Sequence, residues 1–189
     1  LALARSMQPE VVKSSALSLT ALPGDGGIRT RKVAILVADG VYGASIVAIQ
    51  AALAAAGAVA CIVAPRLGSV KTADGRSVDA TGTLENSPPV LFDALVLPDG
   101  GDGVTLLAGY GQTREFVTNH YRHGKTILAL GASKALLDKA DVAATLPSGE
   151  PDPGILLVNI AALGDSTAAF LAAVGKHRHP LRETDPPRI

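Results

Sequence analysis

Arg29-Thr-Arg-Lys-Val-Ala-Ile-Leu-Val-Ala-Asp-Gly-Val-Tyr-Gly-Ala44 is the stretch whose reading decides the fold. A polar, glycine-rich run, Pro23-Gly24-Asp25-Gly26-Gly27, stops, and a continuous apolar strand runs from Val33 to Ala38. The strand ends in a glycine-containing turn, and an alanine-rich helix follows. This is the first β-turn-α unit of a parallel α/β domain. It begins behind a segment of linker composition. Residues 1–31 therefore read as an arm and linker, and residues 32–189 as the folded domain of something larger.

The pattern continues regularly downstream. Ala44–Ala56 reads as a helix closed by Gly57 just past its end, and Val59–Ala64 as the second strand. Ser69–Val78 reads as a hairpin turning at Asp74-Gly75. Ala94–Leu97 is the third core strand, followed by a loop, Pro98-Asp99-Gly100-Gly101-Asp102-Gly103. Thr113–Arg122 reads as a helix ending at Gly124, Thr126–Leu130 as a strand and Lys134–Lys139 as a helix. Ile155–Val158 is a last short strand, and Ile160–Val174 a final helix with Gly164 as its weak point. Upstream, Met7–Lys13 reads as a helical turn, Ser14–Leu22 as an extended arm and Pro23–Gly27 as a flexible joint. The tail Pro186–Ile189 reads as loose.

Strands alternating with helices imply right-handed crossovers and an α/β fold with a doubly wound parallel sheet. Ligands of such sheets sit past the carboxyl ends of the strands. The segments to search for chemistry are then Asp39–Ser45, Pro65–Gly68, Pro98–Thr105 and Gly131–Lys134.

Composition removes several classes of function. Lys plus Arg and Asp plus Glu balance at 17 each, so the chain has no overall basic charge for nucleic acid or an anionic membrane. Aromatic residues make up 3% and tryptophan is absent, which leaves few platforms for stacking bases or flavin rings. One cysteine excludes an internal disulfide and a cysteine-based metal cluster, and fits a reducing, cytoplasmic setting. No apolar run reaches the length of a membrane span. Leu1–Ala4 lacks the charged and apolar regions of a signal peptide. With no starting methionine, the chain reads as a fragment or a processed product.

The candidate sites each have a structural explanation. Asp39-Gly40-Val41-Tyr42-Gly43 has neither dinucleotide-fingerprint nor P-loop spacing and reads as a turn. Asp99 and Asp102 among glycines supply too few oxygens for calcium, and the loop reads as a sharp turn at a strand end. Gly131-Ala132-Ser133-Lys134-Ala135 follows a strand and opens a helix, the place for a nucleophile elbow, but Ala135 stands where the second glycine would be. Ser133 is the weak catalytic candidate. It lacks a His and acid in chain order, and as N-cap of the next helix it is explained. Cys61, inside a strand, reads as a buried inert thiol. His120 and His123 lie three apart on a helix without a third ligand, so no zinc site is expected. Lys176-His177-Arg178-His179 reads as a cationic cluster suited to a helix C-terminus. No metal-binding or cofactor-binding residue is assigned.

Residues 15 to 60 carry a sharper signal. Ala16-Leu-Ser-Leu, Pro23-Gly24-Asp25-Gly26 and the run from Ile28 to Gly40 resemble the junction and first strand of the C-terminal domain of large-subunit haem catalases. Lys71–Val78, Phe92–Pro98 and Lys125–Gly131 also resemble that domain. The resemblance covers the chain from about Ser15 onward and is most specific over Arg29–Gly40. It implies a flavodoxin-like three-layer sandwich, similar to the class I glutamine-amidotransferase-like proteases, glyoxalases and chaperones. Those relatives carry a cysteine nucleophile at the elbow and an acid in the first loop. Here the elbow reads Ala129-Leu130-Gly131-Ala132 and the first loop Gly40-Val41-Tyr42-Gly43, so both groups are missing.

The resemblance implies a parent enzyme that dismutates hydrogen peroxide with haem as a homotetramer. Its haem-ligand helix carries Arg-x-x-x-Tyr. No arginine precedes Tyr42, Tyr110 or Tyr121 by four residues, so haem belongs to an upstream core. The expected partners are that core and the other subunits, with unfolded client proteins as a further class if the free domain acts as a chaperone. The expected role is non-catalytic, stabilising the tetramer and shaping peroxide access. The alternative is a free-standing hydrolase or glyoxalase using Ser133 with Asp99 or Asp102.

Overall fold

A sheet of six parallel strands, in the order β5-β2-β1-β6-β7-β8, forms the middle layer of the computed structural model, which describes residues 25–182 except Pro147, together with Glu10, Val11, Ser14 and Leu17. Its strands are β1 (Lys32–Leu36), β2 (Val59–Ala64), β5 (Gly82–Thr83), β6 (Ala94–Leu97), β7 (Thr126–Leu130) and β8 (Ile155–Val158). A separate antiparallel hairpin pairs β3 (Gly68–Lys71) with β4 (Ser77–Ala80). The helices are α1 (Gly43–Ala55), α2 (Gly101–Ala108), α3 (Gly111–Arg122), α4 (Lys134–Lys139) and α5 (Leu163–Gly175). This is the doubly wound parallel sheet expected from the apolar strands. The readings of Met7–Lys13, Ser14–Leu22 and Pro186–Ile189 lie outside the continuously described residues.

The period of two along each central strand separates the core into two halves. Val33, Ile35 and Val37 face one side, where Ile46, Ile49 and Leu53 of α1 and Phe170 and Val174 of α5 cover them. Ala34, Leu36 and Ala38 face the other, under Val104 and Leu107 of α2, Phe116 and Val117 of α3 and Leu136 of α4. Strands buried on both faces have to be apolar at every position, which is why β1, β6 and β7 read as unbroken apolar runs.

Several stretches differ from their sequence reading: the strand expected over Val33–Ala38 spans Lys32–Leu36, the helix expected from Thr113 starts at Gly111, and β5 was not expected. The loop expected over Pro98–Gly103 is short, because α2 already begins at Gly101. Glycine read as turn punctuation, but Gly103 answers a different need. A Cβ there would lie 2.5 Å from Val41 Cγ1 and 2.6 Å from Val41 N, so the glycine lets α2 pack directly on the first loop. The helix expected over Ile160–Val174 is divided. Ile160–Ala162 is a 3₁₀ turn whose Asn159 side chain accepts from Ala161 N at 3.1 Å, and α5 proper starts at Leu163. No helix among the described residues is long and apolar enough to cross a membrane.

The N-terminal ends of the strands are closed by a buried ion pair. Arg182 Nη2 donates to Asp152 Oδ1 at 3.0 Å and Nη1 to the Lys125 carbonyl at 2.8 Å, with the guanidinium 4.7 Å over the Tyr121 ring. Both side chains are almost fully buried, at 2% and 0% exposure. Removing one partner of such a pair costs about 3–5 kcal/mol, because the other charge stays buried. This anchors the chain after α5 to the start of β7. His179 belongs to the same anchor, its Nε2 2.9 Å from Thr126 Oγ1. The cationic run after α5 is therefore only partly a helix-end effect, since His179 is a packed core residue.

Candidate functional site

The carboxyl ends of β1, β6 and β7 bring three loops together. The backbone knits them, with Tyr42 N donating to the Asp99 carbonyl at 2.7 Å. Gly131, directly after β7, has φ +51°, a left-handed conformation at the elbow position. A Cβ at Gly131 would meet Asp99 Oδ2 at 2.2 Å and Oδ1 at 2.6 Å. The Asp99 carboxylate thus fills the space into which an elbow side chain would project. Its Oδ1 accepts from Gly100 N at 2.7 Å and from Ala132 N at 2.9 Å. These amides are the kind of donors that would hold an oxyanion in a working elbow. Here a carboxylate of the chain already holds them.

The same arrangement recurs at the start of α1. Tyr42 at the N-cap makes no side-chain cap. Instead Asp74, at the hairpin tip between β3 and β4, accepts from Gly43 N at 3.2 Å and Ala44 N at 2.9 Å. The Thr72 hydroxyl donates to Asp74 at 2.5 Å. That hydrogen bond first, and the two helix amides after it, lower the Asp74 pKa below the usual carboxylate range. The hairpin turn at Asp74-Gly75 was legible in the sequence, but its capping of a helix thirty residues upstream was not. The helix N-terminus that would receive a phosphate is occupied by Asp74.

Ser133 sits at the N-cap of α4 but does not cap it. This corrects the sequence reading. A 3₁₀ turn over Gly131–Ser133 leads into α4 and holds Ser133 in a helical conformation, so its hydroxyl points away from the free amides. Its Oγ bonds to the Leu97 and Leu130 carbonyls, both at 2.8 Å, and the residue is fully buried. Asp99 faces the backbone of Gly131 and Ala132 instead of this hydroxyl. Asp102 lies exposed in the first turn of α2.

The histidines lie at the opposite end of the sheet. His179 meets Thr126 at the start of β7, while Ser133 follows the end of that strand. At about 3.3 Å per residue, the two are roughly 15–20 Å apart. His120 is buried, stacked on Phe116 at 5.1 Å, and its Nδ1 donates to the Phe116 carbonyl at 2.9 Å. His123 is exposed at the C-cap of α3. Burial holds the His120 imidazole down at about 3, so it stays neutral.

Cys61 is half-buried in β2, less enclosed than expected, and burial raises its thiol pKa. Among the described residues no three His, Cys, Asp or Glu side chains gather as a metal site. A crevice between α2, α3 and α4 beside Tyr110, Thr113 and Lys139 measures about 10 Å³, room for about one water. Of the three tyrosines, Tyr42 and Tyr110 lie at the surface, and Tyr121 is packed under Arg182.

Comparison with known proteins places this geometry. Residues 29–184 match the family described as the C-terminal domain found in long catalases. The chain is 33% identical over 174 residues to Catalase HPII of Pseudomonas putida, covering 92% of this chain and 23% of that protein. It is 36% identical over 148 residues to Catalase C of Rhizobium meliloti, covering 78% of this chain and 20% of that protein. The chain therefore spans about a quarter or less of the length of these relatives. Among solved structures, a ThiJ/PfpI domain protein from Brachyspira murdochii matches with a TM-score of 0.67 at 14% identity, over 77% of this chain and 97% of that one. Drosophila melanogaster DJ-1beta matches with a TM-score of 0.65 at 17% identity, over 79% and 91% of the two chains. These likenesses show a shared flavodoxin-like three-layer fold. The matched span takes in every strand and helix of the described domain, and the chain belongs to the family of C-terminal domains of long catalases.

Proposed function

We propose that this chain serves a large-subunit, haem-containing catalase as a domain without a reaction of its own, stabilising a tetramer and shaping the route of peroxide to the haem. The observation that carries the non-catalytic reading is the filled elbow. Gly131 offers no nucleophile, and the Asp99 carboxylate holds the amides that would stabilise an oxyanion. The candidate hydroxyl, Ser133, is buried against two carbonyls with no histidine at its end of the sheet. The support for the parent activity is family membership and the short span of the relatives that this chain covers. The cytoplasm is the proposed setting, on the single cysteine.

The test compares the full-length protein with a version ending before Arg29. The truncated form is expected to keep its haem and turn over peroxide, while its tetramer dissociates at lower temperature and its KM for peroxide changes. A truncated form indistinguishable in tetramer stability and KM overturns the role. The isolated chain is expected to show no hydrolase or glyoxalase turnover. Turnover abolished by Ser133→Ala would instead favour the alternative enzyme.

A chaperone-like activity is a second reading, favoured by one observation. α1 carries no charged residue, and Val47, Ala48, Ala51, Ala54 and Ala55 lie exposed on it. Such an apolar face suits unfolded clients. Failure of the isolated chain to slow client aggregation at molar excess removes this reading.

A further inference from the structure

The balanced charge of the chain conceals an uneven distribution. The N-terminal ends of β1, β6 and β7, with the turn after α5, gather Arg31, Lys125, His177 and Arg178 around Asp93. Arg31 Nη1 donates to His177 Nδ1. Arg178 Nη1 donates to the His177 carbonyl at 2.9 Å. Lys125 is 3% exposed, and its Nζ donates to the Pro89 carbonyl at 2.9 Å. Asp93 is already engaged, its Oδ2 accepting from Lys32 N at 2.9 Å. Among the described residues, Arg31, Lys125 and Arg178 form no ion pair.

Among the described residues the cluster is under-compensated. Burial, and then the neighbouring Arg178, push the Lys125 ammonium down to about 8. Burial lowers Arg178 as well, with Arg31 adding to it against the opposing pull of Asp93. His177 is held at φ +64°, outside the ordinary range of L-residues, where it accepts from Arg31. Beside the cluster, Val90 and Leu91 are exposed, at 75% and 53%, on the turn whose Pro89 carbonyl receives Lys125. Positive charge flanked by exposed apolar side chains is the chemistry of a protein interface.

We propose that this end of the domain is its docking face for the rest of a long catalase, with partner carboxylates seated against Arg31 and Arg178 and partner apolar side chains on Val90 and Leu91. The inference rests on the reading of the chain as part of a larger catalase. Three observations select this occupant. Arg31 directly precedes β1, so upstream sequence is tethered at this end of the sheet and meets the cluster at high effective concentration. The relatives have more than three quarters of their length outside the matched region. A nucleic acid is a poorer fit, because the cluster is compact and partly buried and the chain is only 3% aromatic.

The experiment uses the full-length protein and measures the rate at which limited proteolysis releases the domain, alongside haem content and peroxide turnover. Arg31→Glu with Arg178→Glu is expected to speed release about tenfold at low salt, with haem retained. High salt is expected to bring the wild type toward the variant, because screening weakens the same contacts. Arg178→Gln, a milder change, is expected to give an intermediate rate and keeps the test valid if the double reversal fails to fold. Unchanged release rates in a folded, haem-containing protein overturn the docking face. Retardation of a labelled DNA duplex by the 189-residue chain, lost on reversal, overturns it in favour of a nucleic-acid surface. A native subunit no larger than this chain and free of haem overturns the functional reading itself, a result distinct from unchanged release.

Discussion

Gly131 and Asp99 explain each other. Gly131 adopts φ +51°, which costs an L-residue about 1–2 kcal/mol. A Cβ there would also collide with the Asp99 carboxylate. Gly131→Ala is therefore expected to destabilise the chain by about 2–4 kcal/mol, from backbone strain plus overpacking. Asp99→Gly with Gly131→Ala is expected to cost less than the sum of the two single changes, because the collision is gone. Urea unfolding of the four proteins measures this coupling, expected near 1 kcal/mol or more. Strict additivity would show that Asp99 does not occupy the elbow space. The sequence showed that the elbow lacks a cysteine. It did not show the carboxylate lying across it, because Asp99 and Ala132 are 33 residues apart and no periodicity links them.

At the scale of elements, α1 depends on the hairpin. It is a helix without charged residues, without an N-cap side chain and without acids in its first turn. Its N-terminal amides are satisfied by Asp74 from the β3–β4 turn. Asp74→Asn is expected to lower the urea midpoint at neutral pH, while Asp79→Asn, exposed on β4, changes little. The folded-state pKa of Asp74 is lowered, so its contribution is complete above the ordinary carboxylate range and is lost as pH falls through the lowered value. The wild-type and Asp74→Asn midpoints are therefore expected to converge in strong acid. An equal gap at both pH values would mean that the side chain acts through packing and not charge. The α2 helix carries the complementary lesson. Its glycines resembled loop punctuation, yet Gly103 is set by the approach of Val41 from another loop.

At the scale of the molecule, the buried histidines are expected to make stability fall in acid. Burial holds His120 at about 3 and His179 at about 4, both below the ordinary 6.5. The unfolded chain binds these protons first. Their contribution to stability is complete above about 6.5 and is expected to fall as pH drops from there toward about 3. His120→Phe keeps the stacking on Phe116 and removes the titration. It is expected to flatten the fall in urea midpoint between neutral pH and about 4. A slope matching the wild type would show that His120 is not the group responsible. Neither the histidine pairings nor the cationic docking cluster follows from a balanced residue count, since tertiary packing decides which charges become neighbours.

The sequence by itself determined the parallel sheet, the order of its elements and the family. Apolar periodicity is a local property, and strands covered on both faces leave an unmistakable apolar run, as in Val33–Ala38 and Thr126–Leu130. The exact matches at Val59–Ala64, Ala94–Leu97, Thr126–Leu130 and Lys134–Lys139 follow from that. Only the tertiary structure decided where the carboxylates go. Asp74 reaches α1, Asp99 reaches the elbow, and Asp152 pairs with Arg182 thirty residues on. These bonds span long stretches of chain, and the crossovers between parallel strands, not local spacing, bring their ends together. The locations of both candidate loops were therefore legible in the sequence, whereas their occupation by the chain's own carboxylates was decided by packing.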